Sequence, residues 1–76
     1  MSGTDKLVYM ANQIARNFEI HGTDEASAMT AEHIRKFWDP RMRAAIAGHV
    51  AAGGKDLSEI ALAAIRDACR LSGQTP

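Results

Sequence analysis

The chain has a single cysteine, Cys69, so no internal disulfide is available to it, and a lone thiol of this kind fits a reducing compartment. It has no excess of charge: nine basic and nine acidic residues cancel. That balance removes any long-range field toward nucleic acid or an acidic membrane and leaves only local patches to act. No apolar run approaches the roughly 18 residues of a membrane span. Met1-Ser2-Gly3-Thr4-Asp5 lacks a basic start followed by an apolar stretch. These absences together predict a cytoplasmic protein. Aromatics are scarce at 5%, and β-branched or aromatic residues never alternate with polar ones, so strand signals are missing.

Chemistry is as thinly supplied. His21, His33 and His49 share no His-x-x-x-His spacing and no Cys/His cluster, the arrangement a bound transition metal needs. Gly48 to Asp56 contains glycines before a lysine, as phosphate-binding loops do. Here, however, Gly53-Gly54 leads into Lys55-Asp56, without the Gly-Lys-Ser or Gly-Lys-Thr register, and a helix precedes the loop instead of a strand. The carboxylates are scattered, and no pair stands in an apolar setting that would raise a pKa for acid–base work. Ser2, Ser27, Ser58 and Ser72 fall at caps or turns and have no nucleophile context. A chain of 76 residues also encloses little volume for a ligand cavity. The expectation is a non-enzyme with no catalytic, cofactor-binding or metal residues.

What is present is helical spacing. Leu7, Met10, Ala11, Ile14, Ala15 and Phe18 make one unbroken stripe, with Thr4 as a cap and Lys6, Asn12, Gln13, Arg16 and Asn17 on the other face. A turn-rich stretch, His21 to Asp24, supplies Thr23 or Asp24 to cap a second helix. That helix is expected from Glu25 or Ala26 to Trp38, burying Ala26, Met29 or Thr30, Ile34 and Phe37, with Glu32 and Lys36 paired outside. Asp39-Pro40 ends it and opens a third helix, because proline excludes helical geometry from the residue before it yet suits a first helical position. Asp39 is the expected N-cap there. Met42, Ala45, Ile46, His49 and Val50 form the third stripe, closed by Gly53-Gly54. Ser58 caps a fourth helix, with Leu57 stapled onto Leu62 and Ala61, Leu62, Ile65, Ala68 and Cys69 inward. The fold class is therefore all-α, a compact bundle of four short helices in a single domain over residues 1–76, with residues 1–4 and 72–76 frayed. A chain this short buries only about 60–65% of its unfolded surface and is marginal alone.

Residues 31–43 depart from this plain pattern. They hold the only tryptophan and a proline, and set Arg35, Lys36, Arg41 and Arg43 against Glu32 and Asp39. Tryptophan and arginine dominate the energetic centres of interfaces, so a docking corner is expected, with Arg35, Trp38, Asp39, Pro40, Arg41 and Arg43 as the partner-binding set. Phe37 is assigned to the junction of the second and third helices, Trp38 suits core and interface equally, and Arg41 and Arg43 project toward a partner. The uncharged face Ala44, Ala47, Gly48, Ala51 and Ala52 is either tolerated exposed alanine or a second contact surface. The alternative for the corner is a small helical DNA-binding domain, two helices meeting at a turn with arginines nearby. Charge balance and the Ala-rich following helix weigh against it.

Lys6-Leu7-Val8 with Met10-Ala11-Asn12-Gln13-Ile14-Ala15, the block from His33 to Arg43, and Val50-Ala51-Ala52-Gly53-Gly54 with Leu57 together resemble the delta subunit of the soluble NAD-dependent formate dehydrogenases. The resemblance runs from about Lys6 to Leu62, and its middle block is the specific one. It implies a non-catalytic accessory subunit that docks on the large catalytic (alpha) subunit of a molybdenum-containing formate dehydrogenase and supports its assembly, stability or cofactor retention. By the same resemblance, the partner complex carries bis-molybdopterin guanine dinucleotide, iron–sulfur clusters, FMN and NAD, none of them bound by this chain.

Overall fold

The computed structural model describes residues 3–70. Helix α1 spans Gly3–Phe18, a single 3-10 turn covers Glu19–His21, and α2 (Thr23–Phe37), α3 (Pro40–Ala51) and α4 (Glu59–Arg70) follow, with no strand among the described residues. α1 begins at Gly3, which puts Thr4 inside the first turn instead of at the cap expected of it. Of the ends expected to fray, Gly3 and Thr4 are helical, and 1–2 and 72–76 lie outside the described residues.

α2 starts at Thr23, ahead of the Glu25 or Ala26 that the sequence suggested, and neither Thr23 nor Asp24 caps it by a side chain. Gly22 does the work instead. Its φ of 94° reverses the chain in a conformation open to glycine, and its carbonyl accepts the Ala26 N–H at 2.8 Å. Asp24 and Glu25 then sit in the first turn, where the helix dipole favours negative charge. At the other end Trp38 is extended (φ −93°, ψ 134°), as is Asp39, which must be so because Pro40 follows. Asp39 Oδ1 accepts the Met42 N–H at 2.9 Å, so the expected cap of α3 is present.

α3 closes on a double bond pattern: Gly54 N–H to the His49 carbonyl at 2.9 Å and Gly53 N–H to the Val50 carbonyl at 3.0 Å. Gly54 is fixed by two constraints. Its φ is 65°, and a Cβ there would lie 2.8 Å from Leu62 Cδ1. Leu57 Cδ1 borders the same spot at 3.9 Å, so both leucines of the expected staple meet over this glycine. Ser58 caps α4 through its Oγ, which accepts the Ala61 N–H at 3.1 Å.

Seven of the thirteen buried apolar residues among those described are alanines. Small side chains let helix axes approach closely, and the most extensive helix pairing is α2 on α4, where Ala26, Thr30, Ala31 and Ile34 face Ala61, Ala64, Ile65 and Ala68. Bulk in this core comes from few residues, chiefly Ile34, Ile46, Ile65 and Trp38. In α1 the stripe is as expected, with Val8 added; in α3 only Ile46 is fully buried, and Ala45, expected inside, is exposed. α3 contributes one flank of a bundle that is closed mainly by the other three helices, so less of its circumference is covered. Ala44, Gly48, Ala51 and Ala52 are also exposed, and Ala47 is half-buried.

Candidate docking corner

The α2–α3 corner brings the six sequence-identified residues together, though not all on its outer surface. Trp38 is buried, 4% exposed, and belongs to the bundle core. Phe37, expected inside, is the one outside, 69% exposed. The exchange follows from helix geometry. The buried stripe of α2 is Ala26, Thr30, Ala31 and Ile34; four residues on from Ile34 the chain returns to that stripe at Trp38, while Phe37 lies on its flank one turn beyond His33. The Phe37 and His33 rings stand 4.7 Å apart, centroid to centroid, in a tilted pair.

Arg43 was expected to project. Instead it reaches back, and its Nη1 donates to the Trp38 carbonyl at 2.7 Å, with a longer contact of 3.4 Å to the Arg35 carbonyl. The last carbonyls of α2 have no intrahelical donor, so a half-buried guanidinium satisfies them and locks the turn. Arg35 stands 3.9 Å from Asp67 on α4, an exposed pair of little energetic weight. Arg41 is exposed and makes no ion pair among the described residues, and Pro40 and Asp39 are exposed beside it. Lys36 and Glu32 form the expected i, i+4 pair at 3.7 Å. The outer face of the corner is thus Phe37, Asp39, Pro40 and Arg41, while Trp38 and Arg43 hold it from beneath.

Beside that face lies an open groove of about 380 Å³, walled by Met10, Ile14, Trp38 and Met42 with Gln13 and His33 as its polar members, and with Tyr9 and Phe37 as its lips. Tyr9 is 63% exposed. The sequence placed neither lip on the surface: Tyr9 sits one position from the α1 stripe, and nothing in the pattern marks it. A second, polar hollow opens at the other end of the bundle between Asn12, Arg16, Glu19, Thr23 and Glu59. There Asn12, assigned to the outer face of α1, proves structural. Its Nδ2 donates to the Asp56 carbonyl at 2.8 Å and its Oδ1 accepts the Ser58 N–H at 2.9 Å, clamping the loop between α3 and α4. His49 adds a contact of 2.8 Å from Nε2 to the Lys55 carbonyl.

Burial pushes the Cys69 thiol above its ordinary range, against a weaker opposing pull from the Arg43 guanidinium, and its Sγ faces the Arg43 carbonyl at 3.8 Å. Among the described residues no three His, Cys, Asp or Glu side chains are grouped so as to hold a metal ion. No described helix is long and apolar enough to cross a membrane.

The family model of the NADH-dependent formate dehydrogenase delta subunit, FdsD, matches residues 6–65. The chain belongs to this family. The match takes in α1 from its second turn, the whole corner, the clamped loop and the first half of α4, so both lips of the groove fall inside it. No curated protein and no solved structure matches this delta-subunit chain.

Proposed function

We propose that this delta subunit is a non-catalytic accessory chain that docks on the large catalytic (alpha) subunit of an NAD-dependent formate dehydrogenase. There it supports the assembly or stability of that subunit, or its retention of a molybdenum cofactor. The observation that carries the proposal is the pair of exposed aromatics, Tyr9 at 63% and Phe37 at 69%, framing a largely apolar groove; among the described residues the one other large apolar side chain left exposed is Ile20, away from the groove lining. Aromatic rings exposed in this way are costly in water and useful at interface centres. Family membership supports the identity of the partner. In this proposal bis-molybdopterin guanine dinucleotide, iron–sulfur clusters, FMN and NAD all reside in other subunits, and the complex is cytoplasmic. Arg35, Asp39, Pro40 and Arg41 meet the partner directly, and Trp38 and Arg43 contribute by holding the corner rigid. The Ala-rich face of α3 is a second contact candidate.

Co-expression with a tagged catalytic subunit tests this. The wild-type chain is expected to co-purify, and Arg41→Ala combined with Phe37→Ser is expected to reduce its recovery while leaving helical circular dichroism unchanged. Full recovery of the double variant contradicts the assigned surface.

A further inference from the structure

We propose that the groove between Tyr9 and Phe37 receives an amphipathic helix of the partner whose apolar face is flanked by carboxylates. This rests on the docking role argued above and adds the chemistry of what is docked.

The apolar part follows from the walls. Met10, Ile14, Trp38 and Met42 offer apolar side chains, with Gln13 and His33 as the polar members of the lining, and the groove lies open along one side, as a helix seat does and an enclosing ligand pocket does not. The described residues have no sheet edge to which a strand could add, so a peptide here has to supply its own backbone hydrogen bonds, which a helix does. Two walls are themselves helices, α1 and α2, joined by a connection short enough to make them antiparallel neighbours, and a third helix packs on such a pair ridge into groove.

The acidic flank follows from where the charges lie. The short α1–α2 connection places the start of α1 beside the end of α2, and the Arg35–Asp67 pair places the end of α4 there as well. Among the described side chains, that end carries six cations (Lys6, Arg35, Lys36, Arg41, Arg43, Arg66) against four carboxylates (Asp5, Glu32, Asp39, Asp67). The far end carries two cations, Arg16 and Lys55, against five carboxylates, Glu19, Asp24, Glu25, Asp56 and Glu59. A chain of zero net charge is therefore polarised from end to end, and its groove opens at the positive end. Lys6, one helical turn before Tyr9 and Met10, and Arg41, next to Met42, make no ion pair among the described residues. Complementary potential steers association and rejects wrong partners. A second copy docked groove to groove would set two positive ends against each other, which is the arrangement the charges oppose.

The test is photo-crosslinking within the assembled complex, with Phe37 replaced by p-benzoylphenylalanine and the crosslinked peptide identified by mass spectrometry. The expected product joins position 37 to a catalytic-subunit segment with apolar residues at i, i+3 or i+4, and i+7, flanked by Asp or Glu. In binding measurements the charge reversals Lys6→Glu and Arg41→Glu together, or Tyr9→Ser with Phe37→Ser, are expected to weaken association by about tenfold or more. A crosslink to a second copy of this chain, to a basic or non-helical segment, or to nothing while the chain still co-purifies overturns the helix-in-groove proposal and leaves the docking role standing. Failure of the unmodified chain to join the complex overturns both.

Discussion

Positions 37 and 38 carry adjacent aromatic rings with opposite fates, and the difference yields opposite consequences on substitution. Trp38→Ala removes one of the few bulky core side chains and is expected to cost about 3–5 kcal/mol, read as a large drop in the denaturant midpoint. Phe37→Ala leaves stability within about 0.5 kcal/mol, because an exposed ring gains little from the fold. In the proposed docking role its effect falls on binding. The arginines divide in the same way: Arg43→Ala is expected to destabilise by about 1–3 kcal/mol, since the Trp38 carbonyl loses its charged donor, whereas Arg41→Ala leaves the fold unchanged. Cys69 supplies a pH-linked check. With its thiol pKa raised by burial, less thiolate is present near neutral pH than in an unfolded chain, and alkylation by iodoacetamide is expected to be slower in the native protein than in denaturant. Because the native thiol holds its proton to higher pH than the unfolded one, its contribution to stability is present at neutral pH. That contribution is lost as alkaline pH ionises the unfolded form first. Equal native and denatured alkylation rates would contradict the partly buried placement.

Elements were more legible than the contacts between them. The stripe of α1, the Asp39-Pro40 break with its cap, the Gly53-Gly54 close and the Ser58 cap follow local rules that involve residues within a turn of each other, and the structure has all of them. The start of α2 was misplaced because Gly22 performs by backbone conformation what Thr23 or Asp24 was expected to do by side chain. Phe37 and Trp38 could not be ordered from periodicity, since three and four residues beyond Ile34 both border the buried stripe, and where the helix ends decides between them. The Asn12 clamp was illegible for another reason: its partners are 44 and 46 residues away, and no local pattern encodes them. Asn12→Ala is expected to lower the thermal midpoint by several degrees, about 1–2 kcal/mol, and to raise amide exchange in the α3–α4 loop ahead of the helices. Gly53→Ala, at a φ of 125° outside the left-handed well, and Gly54→Ala, at 65° with a Cβ approaching Leu62 Cδ1, are both expected to destabilise, and Gly53→Ala carries the larger backbone strain.

At the scale of the whole molecule, a chain of this size holds roughly 4–11 kcal/mol of stability, and much of its interior is alanine. A binding partner that recognises only the folded form adds stability by mass action, so the chain is expected to melt higher inside its complex than alone. Net charge near zero hid the end-to-end polarity because composition sums over positions, and only the arrangement of α1 antiparallel to α2, with α4 alongside α2 in the same direction, gathers the cations at one end. The candidate corner was half legible: the turn at Asp39-Pro40 was read from local rules, but Phe37 was expected inside and is exposed, Trp38 was left open between core and interface and is buried, and the groove lip at Tyr9 carried no signal. Native mass spectrometry of the complex isolated through a tagged catalytic subunit bears most directly on the central claim. Docking through the aromatic groove predicts the 8.2 kDa chain at a fixed ratio to the catalytic subunit, and its loss when Tyr9→Ser and Phe37→Ser are combined in a chain that still folds. Retention of the double variant at the wild-type ratio, or absence of the wild-type chain from the complex, contradicts the account.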